Sequence, residues 1–397
     1  MTLPPELRAF VAAGVLAALA ESAFVVLLGV HVYALTHNPL SLGWLGLSEA
    51  IPAIALVLPG GHFADVWRRR EVAATARAAV GVLAALLGLA HGGVGLVYAV
   101  AFLVGVARAF EEPSASGLEA QLLPPGRMMQ AVSLIASFTR GGALLGPVLG
   151  GVLYGLIGPN LTFLLVALLS LASAAVLRLG IAARPAPGSG ARMLPAIGEG
   201  LRFVFASQIL AGSMALDLFA VFFGGAAGLF PAFAADVLHE GPSAVGFLRA
   251  AASAGALAAM LIASRHPPRA RAGIVLHISV AGFGIGIIAF AFTPNLWLAM
   301  AALVFVGACD GASVVIRRAI VRIAAPDALR GRVAAVRGLF LNATNELGTF
   351  ESGVAAALLG LIPAIWTGGV ITIVVAGLTA WRAPKLLRLD LHKLDRG

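Results

Sequence analysis

Residues 160–181 of this chain read NLTFLLVALLSLASAAVLRLGI, and Arg178 is the only charged residue among them. A helix rises about 1.5 Å per residue, so this stretch is long enough to cross a hydrocarbon core of about 30 Å. The whole chain has the same character: 60% of its 397 residues are hydrophobic, 11% are charged and the mean hydropathy is +0.98. A soluble protein surface does not tolerate such a composition, so the sequence predicts a membrane protein.

Eleven further apolar runs of similar length flank this one, and together they predict an all-α polytopic membrane protein with twelve transmembrane helices. The twelve predicted spans are 8–35, 40–64, 71–91, 94–123, 128–156, 160–181, 208–235, 242–264, 271–292, 296–324, 328–358 and 361–382.

The basic residues indicate the orientation of these helices. A net charge of +9 would suggest nucleic acid in a soluble protein, but here Lys and Arg gather at alternate helix ends, among them 68–70, Arg317 and Arg337. The opposite turns, such as 158–160, contain neither residue. The positive-inside rule therefore places both termini in the cytoplasm of a cell with a bacterial-type inner membrane, and no nucleic-acid partner is expected.

The sequence repeats itself at an offset of 202 residues, which aligns Gly105 with Gly307 and Gly151 with Gly353. Glycines set backbone geometry, so their agreement means more than matches of Leu or Ala in so biased a composition. A stretch rich in Pro, Gly, Ser and Arg separates the two copies. We therefore predict two pseudo-symmetric six-helix halves, 1–181 and 208–382, with a cytoplasmic linker at 182–207 and a cytoplasmic tail at 383–397.

Two motifs stand out, and the first is GHFADVWRRR at 61–70. It resembles the loop signature G-x-L-A-D-R-x-G-R-R of the major facilitator superfamily, although Val66 and Arg68 depart from that pattern. The resemblance implies that Asp65 meets the N-terminus of the eleventh helix when one side of the transporter closes; the alternative is a solvated turn. The matching residues with a predicted gating role are Gly61, Asp65, Arg69 and Arg70.

The second motif is GALLGPVLGG at 142–151, a full match to G-x-x-x-G-P-x-x-G-G, which is associated with exporters of the superfamily. Glycines four apart allow close helix approach, and Pro147 predicts a kink. We expect a small-residue partner in the eighth helix, formed by Ser253, Gly255, Ala256 and Ala259. The motif residues with a predicted conformational role are Gly142, Gly146, Pro147, Gly150 and Gly151.

Three further stretches, 216–219, 330–333 and 345–353, are similar to the drug-efflux and enterobactin-exporter-like subgroup of that superfamily. The resemblance implies the major facilitator fold and alternating access to a binding site near mid-membrane. It also implies that the first, fourth, seventh and tenth helices line the cavity.

Charged residues inside the predicted spans are the sharpest functional candidates, because each costs about 2.5–3.5 kcal/mol at the bilayer centre. Glu21 is the preferred proton carrier, with a protonated or hydrogen-bonded structural role as the alternative. Arg108 has two candidate partners, Glu112 one turn further along and Asp310 in the other half. The proton-coupling candidates are Glu21, Asp217 and Asp310; the cavity candidates are Glu21, Arg108, Glu112, Asp217, Phe222 and Asp310; Glu346 is a gating candidate.

The sequence offers little support for a disulfide, a metal site, ATP-driven transport or an enzyme. The single cysteine, Cys309, excludes an intrachain disulfide and a cysteine-cluster metal site, and we expect no cofactor. The sequence contains no G-x-x-x-x-G-K-[ST], H-E-x-x-H or G-x-S-x-G motif, so we expect neither ATP drive nor an enzyme.

The sequence thus predicts a monomeric secondary transporter in contact with membrane lipids. Its predicted activity is proton-coupled export, by antiport, of small amphipathic molecules such as drugs or siderophores. An importer, a uniporter or a lipid flippase on the same scaffold, or a non-transporting membrane receptor, remain the alternatives.

Overall fold

A computed structural model of the chain describes residues 4–90, 92–123, 128–185, 193–266, 270–324 and 326–391. Within these ranges the chain forms fifteen α-helices and one 3₁₀ turn, without a β-strand. The helices are α1 Pro5–Thr36, α2 Pro39–Ala55, α3 Val57–Val66, α4 Arg69–Leu89, α5 Val94–Leu122, α6 Met128–Gly180, α7 Met193–Ala206, α8 Gln208–Gly224, α9 Phe230–Asp236, α10 Pro242–Arg265, α11 Ala272–Ala291, α12 Leu296–Ala324, α13 Asp327–Leu359, α14 Leu361–Arg382 and α15 Pro384–Leu387.

The predicted spans correspond closely to these helices. Nine helical segments of the described residues are long and apolar enough to cross a membrane, and the bent pair α2 and α3 makes a tenth. The 53-residue α6 covers both 128–156 and 160–181, because its backbone departs from helical geometry at Gly158 (φ 82°, ψ 171°). The predicted span 328–358 corresponds to α13, whose apolar stretch is Leu347–Leu359. Each of the twelve predicted spans therefore has a helical counterpart, and the all-α membrane fold is confirmed.

Two features differ from the prediction. The span 40–64 is not one helix, since α2 and α3 meet at an angle of 53°. Pro59 explains the break, because it has no N–H to donate to the carbonyl of Ala55 four residues earlier. The predicted linker 182–207 also contains helix α7.

The chain divides into two compact units. Unit 1 comprises Met1–His37, Trp44–Gly190 and Glu240–Ala250, and unit 2 comprises Asn38–Gly43, Ala191–His239 and Ala251–Gly397. The boundaries at 181 and 208, which the internal repeat suggests, stay a prediction.

In unit 1, α6 packs along α1 and α4, while α5 packs against α3 and α4. Close contact between α1 and α6 depends on glycine. A Cβ added to Gly142 would lie 3.0 Å from the carbonyl oxygen of Val15, and one added to Gly150 would lie 3.1 Å from Cα of Ala23. At Gly146 an added Cβ would lie 2.6 Å from the carbonyl oxygen of Leu19. The glycine stripe therefore lets two backbones touch, as its spacing predicts.

The predicted partner of this stripe is wrong. Gly142, Gly146 and Gly150 face α1, whereas Gly255 and Ala256 of α10 lie against α12. Residues four apart lie on the same face of a helix, so Gly142, Gly146 and Gly150 share one face of α6, and that face packs against α1. Gly151 is one position further round the helix and does meet α10, since a Cβ there would lie 3.2 Å from the amide nitrogen of Gly246. The kink predicted at Pro147 stays a prediction.

In unit 2, α11 packs against α12 and α14, and α8 packs against α13 and α14. The segment after α14 closes one end of this unit. Leu386, Leu389 and Leu391 are buried in the same apolar cluster as Leu276 of α11. The amide of Gly273 donates to the carbonyl oxygen of Leu389 at 3.2 Å.

A second glycine crossing lies in unit 2, where Gly43 of α2 meets Gly353 of α13. A Cβ added to Gly353 would lie 2.6 Å from Cα of Gly43 and 2.7 Å from its amide nitrogen. These are backbone atoms, so a rotamer change cannot relieve the overlap.

We therefore expect Gly353→Ala to lower the thermal unfolding midpoint of the purified protein, through overpacking of about 1–3 kcal/mol. Gly377→Ala is the matched control, because a Cβ on that α14 glycine meets nothing within 4 Å. A thermal melt in detergent monitored by size-exclusion chromatography measures both. Equal midpoints for the two variants would contradict the tight crossing.

Candidate functional site

In unit 1, one guanidinium is shared by two carboxylates. Arg108 of α5 lies with Nε 3.1 Å from Oε1 of Glu21 on α1, and with Nη1 3.1 Å from Oε2 of Glu49 on α2. The side chain of Glu21 is 52% exposed, whereas that of Glu49 is 9% exposed. Arg108 thus holds one carboxylate that meets solvent and one that does not.

A second network lies beside the first. Arg77 of α4 donates to Oε1 of Glu111 at 2.7 Å and to Oγ of Ser173 at 2.9 Å. Ser173 in turn donates to the carbonyl oxygen of Ala13 at 2.7 Å. These three bonds connect α1, α4, α5 and α6, so they fix the relative positions of the helices that carry Glu21 and Arg108.

Residues of both networks line one cleft. Glu21, Arg77, Arg108 and Glu111 supply its charged lining, and Phe24 and Ala17 supply apolar lining. Sequence reasoning missed Glu49 and Arg77. Each lies within a predicted span, so a search for every charge inside an apolar run would have found both.

Unit 2 contains a charge network of its own. Arg317 of α12 pairs through Nη1 with Asp217 of α8, and its Nη2 lies 3.5 Å from Oδ1 of Asp310. Nη2 of Arg337 on α13 lies 3.9 Å from the second oxygen of Asp217. The side chains of Asp217 and Arg317 are 6% and 4% exposed, while that of Asp310 is 42% exposed.

The networks of the two units share one layout. In each, an arginine holds a buried carboxylate, Glu49 or Asp217, and a half-exposed carboxylate, Glu21 or Asp310. A buried ion pair compensates its own charge only while both partners stay ionised. In each network the half-exposed carboxylate is the one that meets solvent.

The structure adds partners to several sequence-based assignments. Asp310 pairs with Arg317 on its own helix; seven residues are about two turns, so the pair shares a helix face. The bridge between Arg108 and Asp310 stays a prediction. Arg317 and Arg337, which the sequence analysis counts among the basic residues of helix ends, both face Asp217. Glu112 also takes part in a polar or electrostatic interaction, and its pairing with Arg108 stays a prediction.

The loop motif at 61–70 is held together by its own arginines. Arg69 donates to Asp65 at 3.2 Å and to the carbonyl oxygens of Ala64 and Gly117 at 3.1 and 3.0 Å. Arg70 donates to the carbonyl oxygen of Ile181 at 2.7 Å, just after α6 ends, where a positive charge is favourable. Gly61 is buried within α3. The gating role of these residues stays a prediction.

The remaining candidates give a mixed result. Phe222 of α8 packs edge-to-face on Phe223, with ring centroids 4.9 Å apart, and its contact with substrate stays a prediction. Phe230 of α9, which follows α8 along the chain, is buried against Phe290. The side chain of Glu346 lies outside the described residues.

Two compact helical units, apolar spans and buried ion pairs define a multi-pass membrane protein. A family model described as Major Facilitator Superfamily matches residues 10–272. The chain belongs to the major facilitator superfamily and is therefore a transporter by family.

Its curated relatives include efflux proteins. The multidrug efflux pump Tap of Mycobacterium tuberculosis is 28% identical over 361 residues, which cover 86% of this chain and 84% of Tap. The enterobactin exporter EntS of Shigella boydii is 26% identical over 357 residues, which cover 85% of this chain and 80% of EntS.

Solved structures share the fold at low identity. A bacterial homologue of the human lysosomal transporter Spinster, inward-facing and unoccupied, superposes with a TM-score of 0.73 at 17% identity and covers 100% of this chain and 99% of that one. A POT family transporter in complex with 5-aminolevulinic acid gives a TM-score of 0.78 at 11% identity, with 97% and 99% coverage.

The buried pair in unit 2 generates a stability prediction. Arg317→Gln leaves the Asp217 carboxylate without its close partner, so we expect a loss of about 3–5 kcal/mol and a clear fall in the thermal unfolding midpoint. The matched control is Arg178→Gln, which removes an ion pair between the 69%-exposed Arg178 and Glu71. Partly exposed pairs of this kind contribute far less.

Two effects contribute to the expected loss of stability in Arg317→Gln: the missing ion pair, and the unpaired Asp217 carboxylate that remains. The double variant Asp217→Asn, Arg317→Gln distinguishes them. It should recover part of the lost stability, because a neutral amide then replaces the buried Asp217 carboxylate. An unfolding midpoint as high in Arg317→Gln as in the control would contradict the burial of this pair.

Proposed function

We propose that this chain is a proton-coupled exporter of small amphipathic molecules, working as an antiporter by alternating access. One observation carries the proposal: Arg108 is shared between the buried Glu49 and the half-exposed Glu21, and Arg108 and Glu21 line a cleft of unit 1. An ionisable group in a membrane helix marks an ion or substrate pathway by default.

The geometry suggests how a proton acts. When Glu21 binds a proton, its interaction with Arg108 weakens, yet Arg108 keeps Glu49 as an ionised partner at 3.1 Å. No buried charge is left alone, so protonation of Glu21 avoids the large cost of breaking a buried pair. Glu49 is then a positioning residue that keeps Arg108 in place through the cycle.

Asp310 occupies the corresponding place in unit 2. It is the exposed partner of Arg317, while Asp217 is the buried one. We therefore assign Asp310 as a second proton-coupling candidate. Asp217, which the sequence placed in the same class, fits a positioning role better.

Export and substrate class draw on the relatives and the motif. Tap is named a multidrug efflux pump and EntS an enterobactin exporter, so drug-like and siderophore-like compounds are the first to test. The sequence 142–151 adds the exporter signature. We propose a proton gradient as the energy source, since the sequence has no nucleotide-binding loop.

The proposal extends to orientation and assembly. We place the chain in a bacterial-type inner membrane with both termini in the cytoplasm, acting as a monomer and surrounded by lipids. The halves 1–181 and 208–382 would rock about the linker 182–207, and the loop motif at 61–70 would favour one access state. No enzymatic step is part of this scheme.

Other activities on the same scaffold make different predictions. An importer would accumulate substrate in the opposite direction, and a uniporter or lipid flippase would equilibrate it without proton flux. A receptor would bind without transporting. These differences are observable in the same vesicles.

We expect a substrate to dissipate an imposed proton gradient in inside-out vesicles that contain the intact protein, and to fail to do so with Glu21→Gln. Gln keeps the size of the side chain but does not ionise, so it cannot take up and release a proton and coupling is lost. Lipophilic cations and catecholate siderophores are the test compounds, and a pH-sensitive dye reports the gradient.

Glu240→Gln is the matched control, because that exposed carboxylate lies in the turn before α10. It should behave as the intact protein does. If labelled substrate equilibrates through both the intact protein and Glu21→Gln while neither dissipates the gradient, antiport is wrong and a uniporter or flippase replaces it.

A further inference from the structure

Glu111 of α5 is the second carboxylate that lines the cleft of unit 1. It lines this cleft together with Glu21, Arg77 and Arg108. The cleft has room for about one water molecule, so these four side chains lie within short reach of one another. The side chain of Glu111 is 19% exposed, and its Oε1 lies 2.7 Å from Nε of Arg77.

Arg108 and Glu111 are three residues apart on α5, a spacing that puts both side chains on one face of the helix. In the structure Arg108 pairs with Glu21 and Glu49, whereas Glu111 pairs with Arg77. An ionised carboxylate accepts several hydrogen bonds through its two oxygens, so Glu111 can receive a second guanidinium without releasing the first. Glu111 is therefore an alternative acceptor within reach of Arg108.

Proton binding at Glu21 creates the need for such an acceptor. It removes the negative charge that Nε of Arg108 faces at 3.1 Å. Turning Nε towards Glu111 restores a charge-assisted hydrogen bond, while Nη1 keeps Glu49 at 3.1 Å. The charge of Arg249 on α10 also acts on Glu49, so Glu49 has cations on two helices throughout.

We propose that Glu111 is a positioning residue of proton coupling. When Glu21 takes up a proton, Arg108 turns to Glu111, and when the proton leaves, Arg108 returns to Glu21. The inference rests on the proposed role of Glu21 as the proton carrier.

The exchange has a route to the surrounding helices. Glu111 then divides its charge between Arg108 and Arg77, which weakens the 2.7 Å contact with Arg77. Arg77 also donates to Ser173 of α6, and Ser173 donates to the backbone of α1. Proton binding therefore loosens the bonds that join α1, α4, α5 and α6.

The first test is a double-mutant cycle on the purified full-length protein, with the thermal unfolding midpoint in detergent as the measurement. Its variants are Glu21→Gln, Glu111→Gln and the two together. Because Arg108 turns to Glu111 only when Glu21 carries no charge, Glu111 contributes more to stability once Glu21 is replaced. We expect Glu111→Gln to lower the midpoint by about 2 °C more in the Glu21→Gln background than in the intact protein.

Glu240→Gln is the matched control for Glu111→Gln, because that exposed carboxylate lies in the turn before α10. Its effect on the midpoint should be the same with and without Glu21→Gln. Equal effects of Glu111→Gln in the two backgrounds overturn the exchange.

Repulsion between the Glu21 and Glu111 carboxylates would also make the two substitutions non-additive. The cycle is therefore repeated in a Glu49→Gln, Arg108→Gln background, which lacks the guanidinium without leaving the buried Glu49 carboxylate behind. The exchange requires Arg108, so the difference should vanish there. A difference that persists identifies repulsion and overturns the exchange.

The second test is the pH dependence of gradient dissipation in inside-out vesicles. An alternative acceptor for Arg108 favours the protonated state of Glu21, so its removal makes a lower pH necessary for the same proton uptake. We expect Glu111→Gln to move half-maximal dissipation to lower pH by about half a unit or more, and Glu240→Gln to leave it in place. The other charged residues of this network keep their charges in both variants: Glu49, Arg77, Arg108 and Arg249.

A purely structural role of Glu111 would lower the rate of dissipation without moving its pH midpoint. An unmoved midpoint in Glu111→Gln therefore overturns the inference, whatever the rate.

The two tests keep this inference separate from the proposed function. If no compound dissipates the gradient with intact protein while the cycle shows an Arg108-dependent difference, proton-coupled export fails and the exchange of partners stands. If Glu21→Gln abolishes dissipation while the cycle is additive, export stands and the exchange fails.

Discussion

The cost of a charge in hydrocarbon governs the interior of this protein. An ionised side chain at the bilayer centre needs a partner or water, and in both units an arginine pairs with a buried carboxylate from another helix. Because the partners come from different helices, each ion pair also fixes where those helices lie. Arg77 extends the effect, since its bonds lead through Ser173 to the backbone of α1.

Glycine supplies the complementary constraint. The contacts of Gly142, Gly146 and Gly150 hold α6 directly against α1 in unit 1. The Glu21–Arg108 pair joins the same helix, α1, to α5. Glu21 lies within the stretch Val15–Ala23 of α1 that touches the stripe, so the same packing positions its backbone.

Sequence patterns predicted the parts of the fold that depend on one helix at a time. Span lengths, the turn at Gly158 and the family follow from apolar runs and from short motifs, and the structure and the family match agree with them. The sequence patterns did not predict which helices pack against each other or which charged residues pair, because both depend on which helix faces meet in the folded protein. Thus the glycine stripe was assigned to α10 although most of it faces α1, and Glu49 was overlooked although it completes the Arg108 pair.

The division of the chain between the units has a consequence for biosynthesis. Unit 1 takes in Glu240–Ala250, which the ribosome adds after all of α7, α8 and α9. Unit 2 buries Leu386, Leu389 and Leu391, which are translated later still. Domains generally fold as they emerge during synthesis, but neither unit here is complete when its first helices enter the bilayer. The helices α1, α2 and α5, which carry the Arg108 ion pairs, are therefore made before Glu240–Ala250 completes unit 1.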